Sequence, residues 1–253
     1  MAAALSLCVI TRDASAMLGA CLESASFADE CIVVDSGSVD DTVEIARGGG
    51  ARVIAQTWLG YGAQKNFAVA QASHDWVLCL DADERITPEL AASIKRAMAA
   101  PGAAVAYRMA RRNRFLGRWL RHGEGYPDWN VRLFDRRHAR WTEDPVHEHV
   151  VVDGAVAKLG GDLLHESADS LERYLAKQNR YTTLQAQALH ARGERAGAAR
   201  IVLSPLLRFV RFFFFRLGFL DGVAGFVHIA IGCHNSMMKY AKLRALRRGD
   251  GDR

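Results

Sequence analysis

The chain has 253 residues and half of them are hydrophobic, which is enough for a sizeable folded core and excludes a disordered protein. Its 33 Lys and Arg against 28 Asp and Glu leave a net charge of +5 and a pI near 9.1, which favours anionic partners. The five cysteines are scattered, with no C-x-x-C pair, as is typical of reduced core thiols in a cytosolic protein. The N-terminus lacks a basic segment before its short apolar run, so we expect no secretory signal.

The first hundred residues alternate strand and helix patterns, which predicts an α/β fold with a mostly parallel arrangement in this part. Helices are predicted at 15–26, from 40 or 41 to about 48, at 62–72 and from Thr87, whose side chain would cap a helix that has Pro88 in its first turn. Strands are predicted at 5–11, 31–34, 51–55 and 76–80.

Polar residues stand where three of these strands end. Thr11 ends the first strand, Asp35 follows the second, and Asp81-Ala82-Asp83 follows the apolar run 76–80. Ligands of open α/β sheets bind beyond the carboxyl ends of the strands, and residues two apart in an extended segment share a face. Two carboxylates on one face attract a hard divalent ion such as Mg²⁺ or Mn²⁺, which often shares its ligands with substrate phosphates. The pattern therefore predicts a metal–diphosphate site.

The order of strand, carboxylate, Gly/Ser turn, helix, strand and D-x-D resembles the family 2 glycosyltransferases, which have the GT-A nucleotide-sugar-binding fold. The likeness extends through Gln64-Lys65-Asn66, Arg132-Leu133-Phe134 and Val146-His147-Glu148. The whole chain is similar to the subgroup that contains lipopolysaccharide core β-glucosyltransferases. The resemblance implies an α/β, Rossmann-like mixed sheet flanked by helices, and a UDP-sugar donor.

For the nucleotide, the resemblance implies that Asp35 contacts the uracil and that Thr11 also touches the nucleotide. A cation at Lys65 could meet the base or the phosphates. For the metal, it implies that Asp83 coordinates Mg²⁺ or Mn²⁺ directly, while Asp81 reaches the ribose, or the metal through water. His165 is a further possible metal ligand, because some GT-A enzymes recruit a late histidine.

A transferase of this kind needs a general base to deprotonate the acceptor hydroxyl. Family members usually carry a Glu-Asp pair after a strand and loop, and the corresponding place here is His147-Glu148. We therefore expect Glu148 to be the base, with Asp128 as the alternative.

The second half of the chain changes character. Short strands are predicted at 105–109, 130–134 and 150–152, and a helix at 168–192. Basic residues from Arg108 to Arg121 interleave with Phe115 and Trp119. This pattern could bind the phosphates of an anionic acceptor, lie on a membrane, bind nucleic acid or remain solvated. We predict a GT-A domain over 1–195 and a helical extension over 196–253.

The extension contains the run Phe212 to Phe215 interrupted by arginines, and then a basic cluster from Lys239 to Arg248. No clean apolar span is long enough to cross a bilayer, so amphipathic helices in a membrane interface are favoured. A buried core helix or a dimer interface stays open as an alternative.

The resemblance implies an inverting glycosyltransferase that moves a sugar, expected to be glucose, from a UDP-sugar to a lipid-linked glycan such as the lipopolysaccharide inner core. Its expected place is the cytoplasmic side of the inner membrane, as a peripheral protein bound to anionic lipid and not to nucleic acid. A metal-dependent nucleotidyltransferase is one alternative, although Thr11-Arg12-Asp13-Ala14 is not a Gly-rich phosphate loop. A noncatalytic membrane-binding module is the other, and it leaves the carboxylates at the strand ends unexplained.

Overall fold

A computed structural model describes residues 3–144, 148–166 and 170–251, and for 248–251 the backbone alone. Within these residues nine strands form one mixed sheet, with the order β3-β2-β1-β4-β8-β6-β11-β5 and β7 paired to β6. A separate two-stranded ribbon joins β9 and β10.

The first four strands are parallel, as predicted, and helices connect them. The strands are β1 Leu5–Thr11, β2 Glu30–Asp35, β3 Arg52–Ala55 and β4 Trp76–Asp81. The helices are α1 Ser15–Ser24, α2 Thr42–Gly48, α3 Tyr61–Ala70 and α4 Pro88–Ala99. Thr87 caps α4 as expected, because its hydroxyl accepts a hydrogen bond from the Leu90 N–H.

The remaining strands of the sheet run mainly antiparallel to their neighbours. They are β5 Glu84–Ile86, β6 Ala104–Phe115, β7 Arg118–Trp119, β8 Asp128–Asp135 and β11 Ala155–His165, and the ribbon consists of β9 Ala139–Trp141 and β10 Val150–Val152. The three strands expected here are present, and β6 is longer than its apolar pattern indicated. Four further strands, β5, β7, β9 and β11, were not predicted.

Alternation along the buried strands divides the core between the two faces of the sheet. In β1, Leu5, Leu7 and Val9 contact α1, α2 and α4, whereas Cys8 and Ile10 belong to a second cluster with α3. The sheet therefore carries helices on both faces, which leaves the carboxyl ends of its parallel strands as the place for a ligand.

The chain separates into two compact units: residues 1–112 with 128–166, and residues 113–127 with 167–253. The second unit is mainly helical. It contains α5 Leu171–Ala191, α6 Ala198–Phe209, a π-helical turn Val210–Phe215, a 3₁₀ turn Gly218–Asp221 and α7 Gly222–Gly251. This division differs from the expected one at 195/196, because α5 and the segment 113–127 belong to the same unit as the C-terminal helices.

In the described part of the chain, no single helix combines the length and hydropathy that a membrane span requires. One pair of consecutive helical segments, Ala198–Phe215 and Gly218–Arg247, meets the criteria jointly and is bent by 76° at the break.

Candidate active site at the carboxyl edge of the parallel strands

Three of the predicted site residues lie side by side because neighbouring parallel strands end together. Thr11 is paired with Asp35 across β1 and β2, and Ile10 is paired with Asp81 across β1 and β4. The structure thus brings Thr11, Asp35 and Asp81 to one edge of the sheet, as the sequence predicted from their positions at strand ends.

Asp35 is buried and organises the turn that follows β2. One carboxylate oxygen accepts hydrogen bonds from the backbone N–H groups of Gly37 and Ser38, both at 2.9 Å, and the other accepts one from the Ser38 hydroxyl. Beside it the Thr11 hydroxyl is buried, with no hydrogen-bond partner in the described residues. An unsatisfied buried hydroxyl is costly, so its presence at this edge is consistent with a ligand that supplies the missing partner.

Lys65 extends from α3 into the same region. Only 5% of the residue is exposed, and its ammonium lies 2.9 Å from Asp81 Oδ1, 3.4 Å from Glu148 Oε1 and 4.4 Å from the centre of the Trp141 ring. Gly62 lets α3 lie directly against the backbone at Thr142, because a Cβ at this position would lie 1.8 Å from the carbonyl oxygen of Thr142. The structure therefore joins two predicted nucleotide residues, Lys65 and Asp81, to the expected base, Glu148.

A second cation, Arg132, holds Asp81 from the other side. Its guanidinium donates to Asp81 Oδ2 and to Glu84 Oε1, both at 2.7 Å, and it is buried beside the Trp141 ring. Glu84 is fully buried, and its other carboxylate oxygen accepts from the Asp81 N–H at 3.1 Å. Sequence reasoning did not assign Arg132 or Trp141 to the site, although Arg132 lies in a motif that carried the family resemblance.

These contacts determine the charge of Asp81. Burial would raise the pKa of Asp81, but the nearby Arg132 and Lys65 outweigh it and hold that pKa well below the usual range. Burial also disfavours the charged form of Arg132, yet Asp81 and Glu84 raise its pKa above the ordinary arginine value. Asp81 is therefore a permanent carboxylate that is already paired with two cations, so it is less available to a metal than Asp83.

Asp83 faces a different partner. Its Oδ2 lies 3.2 Å from Nε2 of His165, and both side chains are partly exposed, at 26% and 22%. The pairing of β5 with β11 places His165 opposite Glu84, the residue after Asp83, and the Glu166 N–H donates to the Asp83 carbonyl at 3.1 Å. Two of the three predicted metal residues thus lie together, and the third, Asp81, is directed toward Lys65 and Arg132.

One carboxylate and one imidazole fit a divalent ion whose remaining positions are filled by phosphate oxygens and water. Among the described residues, no group of three or more His, Cys, Asp or Glu side chains could hold a metal by itself. The donor set therefore suits a cation that binds together with a diphosphate.

Asp128, the alternative base, lies at the start of β8 in an ion pair with Arg111. The guanidinium donates to Asp128 Oδ2 through Nε at 2.9 Å and through Nη2 at 2.7 Å, and it also lies 3.6 Å from Glu84. The neighbouring Arg112 is paired with Asp162. Two arginines of the basic stretch thus have carboxylate partners within the protein. His147, which precedes the expected base, lies outside the described residues.

The mixed sheet with helices on both faces is the GT-A fold of nucleotide-sugar glycosyltransferases. Glucosyl-3-phosphoglycerate synthase from Mycobacterium tuberculosis, solved with Mn²⁺, UDP-glucose and phosphoglyceric acid, superposes with a TM-score of 0.51 at 18% identity over 77% of this chain and 81% of that one. Mannosyl-3-phosphoglycerate synthase from Rubrobacter xylanophilus also gives 0.51, at 17% identity over 78% of this chain and 77% of its own.

The family is established by sequence. The model of glycosyl transferase family 2 matches residues 6–154, so the chain belongs to this family. A lipopolysaccharide core biosynthesis glycosyltransferase of Rhizobium meliloti, LpsC, is 31% identical over 94% of this chain and 91% of its own length. An uncharacterized glycosyltransferase of Rickettsia typhi is 32% identical, over 94% and 86%. The family and fold predicted from the sequence are confirmed.

Proposed function

We propose that this glycosyltransferase moves a glucosyl group from UDP-glucose to a hydroxyl of a lipid-linked glycan, such as the inner core of lipopolysaccharide, with inversion at the anomeric carbon. The observation that carries the proposal is the arrangement around Asp81 and Asp83. Asp81 is held between Lys65 and Arg132, and two residues later Asp83 faces His165. One segment thus carries both the carboxylate that we assign to the nucleotide and the Asp83–His165 pair that we assign to the metal.

The donor and acceptor are suggested by similar proteins. A solved structure of the same fold contains UDP-glucose, and a relative of matching length acts in lipopolysaccharide core biosynthesis. In this chain the unsatisfied Thr11 hydroxyl and the Asp35 carboxylate would bind the uridine, and Lys65 would hold Asp81 in place for the ribose.

The transfer requires the acceptor hydroxyl to lose its proton as its oxygen bonds to the anomeric carbon. We assign this proton to the Glu148 carboxylate, while the bond between that carbon and the diphosphate breaks and UDP leaves. Glu148 contacts Lys65, which also contacts Asp81, so the base belongs to the same charge network as the nucleotide end. Asp128 is a weaker candidate, because Arg111 engages its carboxylate through two N–H groups.

Mg²⁺ or Mn²⁺ would be held by Asp83 and His165, with Asp81 contributing at most through water. Such an ion supplies electrostatic stabilisation to the diphosphate as negative charge develops on it. The protein's part is to keep Asp83 and His165 facing each other by the β5–β11 pairing.

The class of acceptor indicates where in the cell the protein acts. A lipid-linked acceptor is presented at a membrane surface, and the excess of basic residues suits an anionic leaflet. We propose that the protein is peripheral on the cytoplasmic face of the inner membrane, where its five free thiols would stay reduced.

The test is release of UDP from UDP-glucose by the purified full-length protein, with Mn²⁺ and with a chelator. Asp83→Asn should lower metal-dependent turnover by roughly 10²-fold or more. Calorimetry should show that Mn²⁺ no longer increases the affinity of this variant for UDP. Asp75→Asn is the matched control, because Asp75 lies before the opposite end of β4 and pairs with Arg137.

A panel of other nucleotide sugars in the same assay tests the donor assignment. Preference for another sugar would replace glucose and leave the transferase assignment standing. Release of glucose 1-phosphate in place of UDP would indicate transfer of the uridylyl group, as a nucleotidyltransferase performs. Turnover unaffected by Asp83→Asn would contradict the metal assignment.

A further inference from the structure

The segment that joins α6 to α7 exposes an unusual amount of apolar surface. Between residues 202 and 226, twelve large apolar side chains are at least 36% exposed, and the most exposed are Phe215 at 79% and Val223 at 77%. We call this segment, residues 202–226, the apolar elbow. Large exposed apolar surfaces mark interaction sites in most proteins.

Neighbouring phenylalanines of the elbow pack differently. Phe213 packs inward, since its ring stacks on Phe209 at 4.9 Å and contacts Phe226 at 6.1 Å. Phe214 and Phe215 point outward, with 55% and 79% of their surface exposed. The inner ring holds the turn together. Phe214 contacts Phe209 and Phe213 edge-on, at 6.2 and 5.1 Å between ring centres, yet more than half of its surface stays exposed.

Hydrogen bonds to the segment 113–127 give the elbow a defined shape. The Asp221 carboxylate, 1% exposed, accepts from the N–H groups of Arg121 at 2.9 Å and His122 at 2.8 Å. The Gly123 N–H donates to the Arg216 carbonyl at 2.8 Å. All of these residues belong to the second compact unit. The exposed side chains are therefore presented by an ordered backbone, which lowers the entropic cost of binding.

The charge around the elbow decides what kind of partner fits. From residue 195 to 248 the sequence contains ten Lys and Arg and a single acid, Asp221, which is buried. Arg211 and Arg216 flank the phenylalanine run, and both are exposed. Two copies of this surface would bring like charges together, whereas an anionic lipid surface offers phosphates at the level of the arginines and hydrocarbon beneath them.

We propose that the apolar elbow inserts into one leaflet of an anionic bilayer, with Phe214 and Phe215 in the hydrocarbon boundary and Arg211 and Arg216 at the lipid phosphates. This inference rests on the proposed function, transfer to a lipid-linked acceptor at a membrane surface, and it identifies the residues that contact the membrane. In this arrangement the two phenylalanines bind by apolar burial, which salt does not screen. The two arginines bind by charge attraction, which salt does screen.

The experiment is flotation of the full-length protein with phosphatidylglycerol-containing vesicles and with uncharged phosphatidylcholine vesicles, at low and high salt. The double variant Phe214→Ser/Phe215→Ser should lose at least roughly tenfold in partition to anionic vesicles at both salt concentrations. Arg211→Gln/Arg216→Gln should lose binding mainly at low salt, so that its preference for anionic over uncharged vesicles becomes smaller than that of the wild type.

Leu171→Ser/Leu175→Ser is the matched control, because these α5 side chains are 40% and 42% exposed in the same unit but lie outside the elbow. It should float like the wild type. Circular dichroism melts must show that all variants fold, and UDP release from UDP-glucose should be the same in each of them.

Equal flotation of wild type and Phe214→Ser/Phe215→Ser would overturn the inference. So would a wild-type dimer in light scattering that dissociates in this variant and does not float, since the elbow would then be a contact between copies. Absence of UDP release in every form, with flotation as expected, would refute the proposed activity and leave the membrane contact intact.

Discussion

Arg132 is the buried cation on which the geometry of the D-x-D segment depends. It bridges Asp81 and Glu84 with contacts of 2.7 Å each, and Glu84 in turn binds the Asp81 N–H. Removing one member of a buried ion pair leaves a buried charge without compensation, which typically costs about 3–5 kcal/mol. We expect Arg132→Met to lower the free energy of unfolding by about this amount, measured by urea denaturation.

Adding Glu84→Gln to Arg132→Met should recover part of the loss, because the uncompensated charge is then absent. Arg52→Met is the comparison for an exposed pair, since Arg52 is 48% exposed beside Glu30, and it should cost about 1 kcal/mol or less. Equal effects of the two arginine substitutions would show that burial of the Arg132 network contributes nothing.

Glu148 and Asp128 can be separated as candidate bases by kinetics. With Glu148→Gln we expect kcat for transfer to fall roughly 10²–10⁴-fold with little change in the donor KM, because a base acts on the acceptor. Asp128→Asn, which disturbs the pair with Arg111, should retain most of the transfer rate. A rise in donor KM without a fall in kcat would show that Glu148 acts through Lys65 on nucleotide binding.

Much of this site was predictable, because residues at the ends of neighbouring parallel strands must meet. Thr11, Asp35 and Asp81 could be recognised in this way, and they lie at one edge of the sheet. The spacing also predicted that Asp81 and Asp83 share a face, but Asp81 contacts Lys65 and Arg132 whereas Asp83 contacts His165.

Arg132 could not be recognised in this way, because it lies on β8, whose pairing with β4 is a long-range property. Trp141 could not either, because it lies in the β9–β10 ribbon and is held beside α3 by hydrogen bonds between its backbone and the Asn66 side chain. A buried arginine inside an apolar strand is nonetheless a usable signal, since it requires carboxylate partners.

At the level of elements, the largest omission was β11. Its sequence is interrupted by Gly160 and Gly161, which are typical of a loop. In the structure Gly161 has φ +92, and a Cβ there would lie 2.3 Å from the Leu90 backbone nitrogen. The glycine thus lets α4 approach the strand. It maintains the pairing that carries His165, and this role depends on a contact between distant parts of the chain.

The carboxyl group of Glu30 ties the start of β2 to its surroundings and makes stability depend on pH. It accepts from the Ser6 hydroxyl at 2.7 Å and from the Ser73 N–H at 2.8 Å. Burial would raise the pKa of Glu30, but these hydrogen bonds outweigh it and lower the pKa to about 2. Because the folded state then binds this proton less readily than the unfolded state, Glu30 stabilises the fold above its unfolded pKa of 4.5, and the benefit is lost as the pH falls toward 2.

We therefore expect the free energy of unfolding to fall between about pH 4.5 and pH 2, and to fall less steeply in Glu30→Gln. Urea midpoints measured across this interval for both proteins test the expectation. Identical slopes would mean that the Glu30 contacts do not persist in solution.

For the whole molecule, the second unit is not a simple extension of the first. It joins an internal segment, 113–127, to helices from the C-terminal third of the chain. The expected boundary at residue 195 followed the Gly193 to Gly197 stretch, a local signal that does not report which helices pack together. In the structure α5, which precedes that stretch, packs on α7: the Asn235 amide donates to Gln178 at 2.7 Å, and the Lys242 ammonium donates to Thr182 at 2.8 Å.

Ending the chain after Arg200 should consequently affect more than membrane contact. It removes α7 and leaves the buried face of α5, including Ala186 at 0% and Thr182 at 3% exposure, without its partner. We expect α5 to become susceptible to limited proteolysis and the truncated protein to aggregate. The donor residues all lie in residues 1–112 and 128–166, so cleavage should begin in α5 while the sheet stays protected. Mass spectrometry of the early fragments checks this. A truncated protein whose α5 resists protease as in the full chain would show that α5 belongs with the sheet, as the boundary at 195 implied.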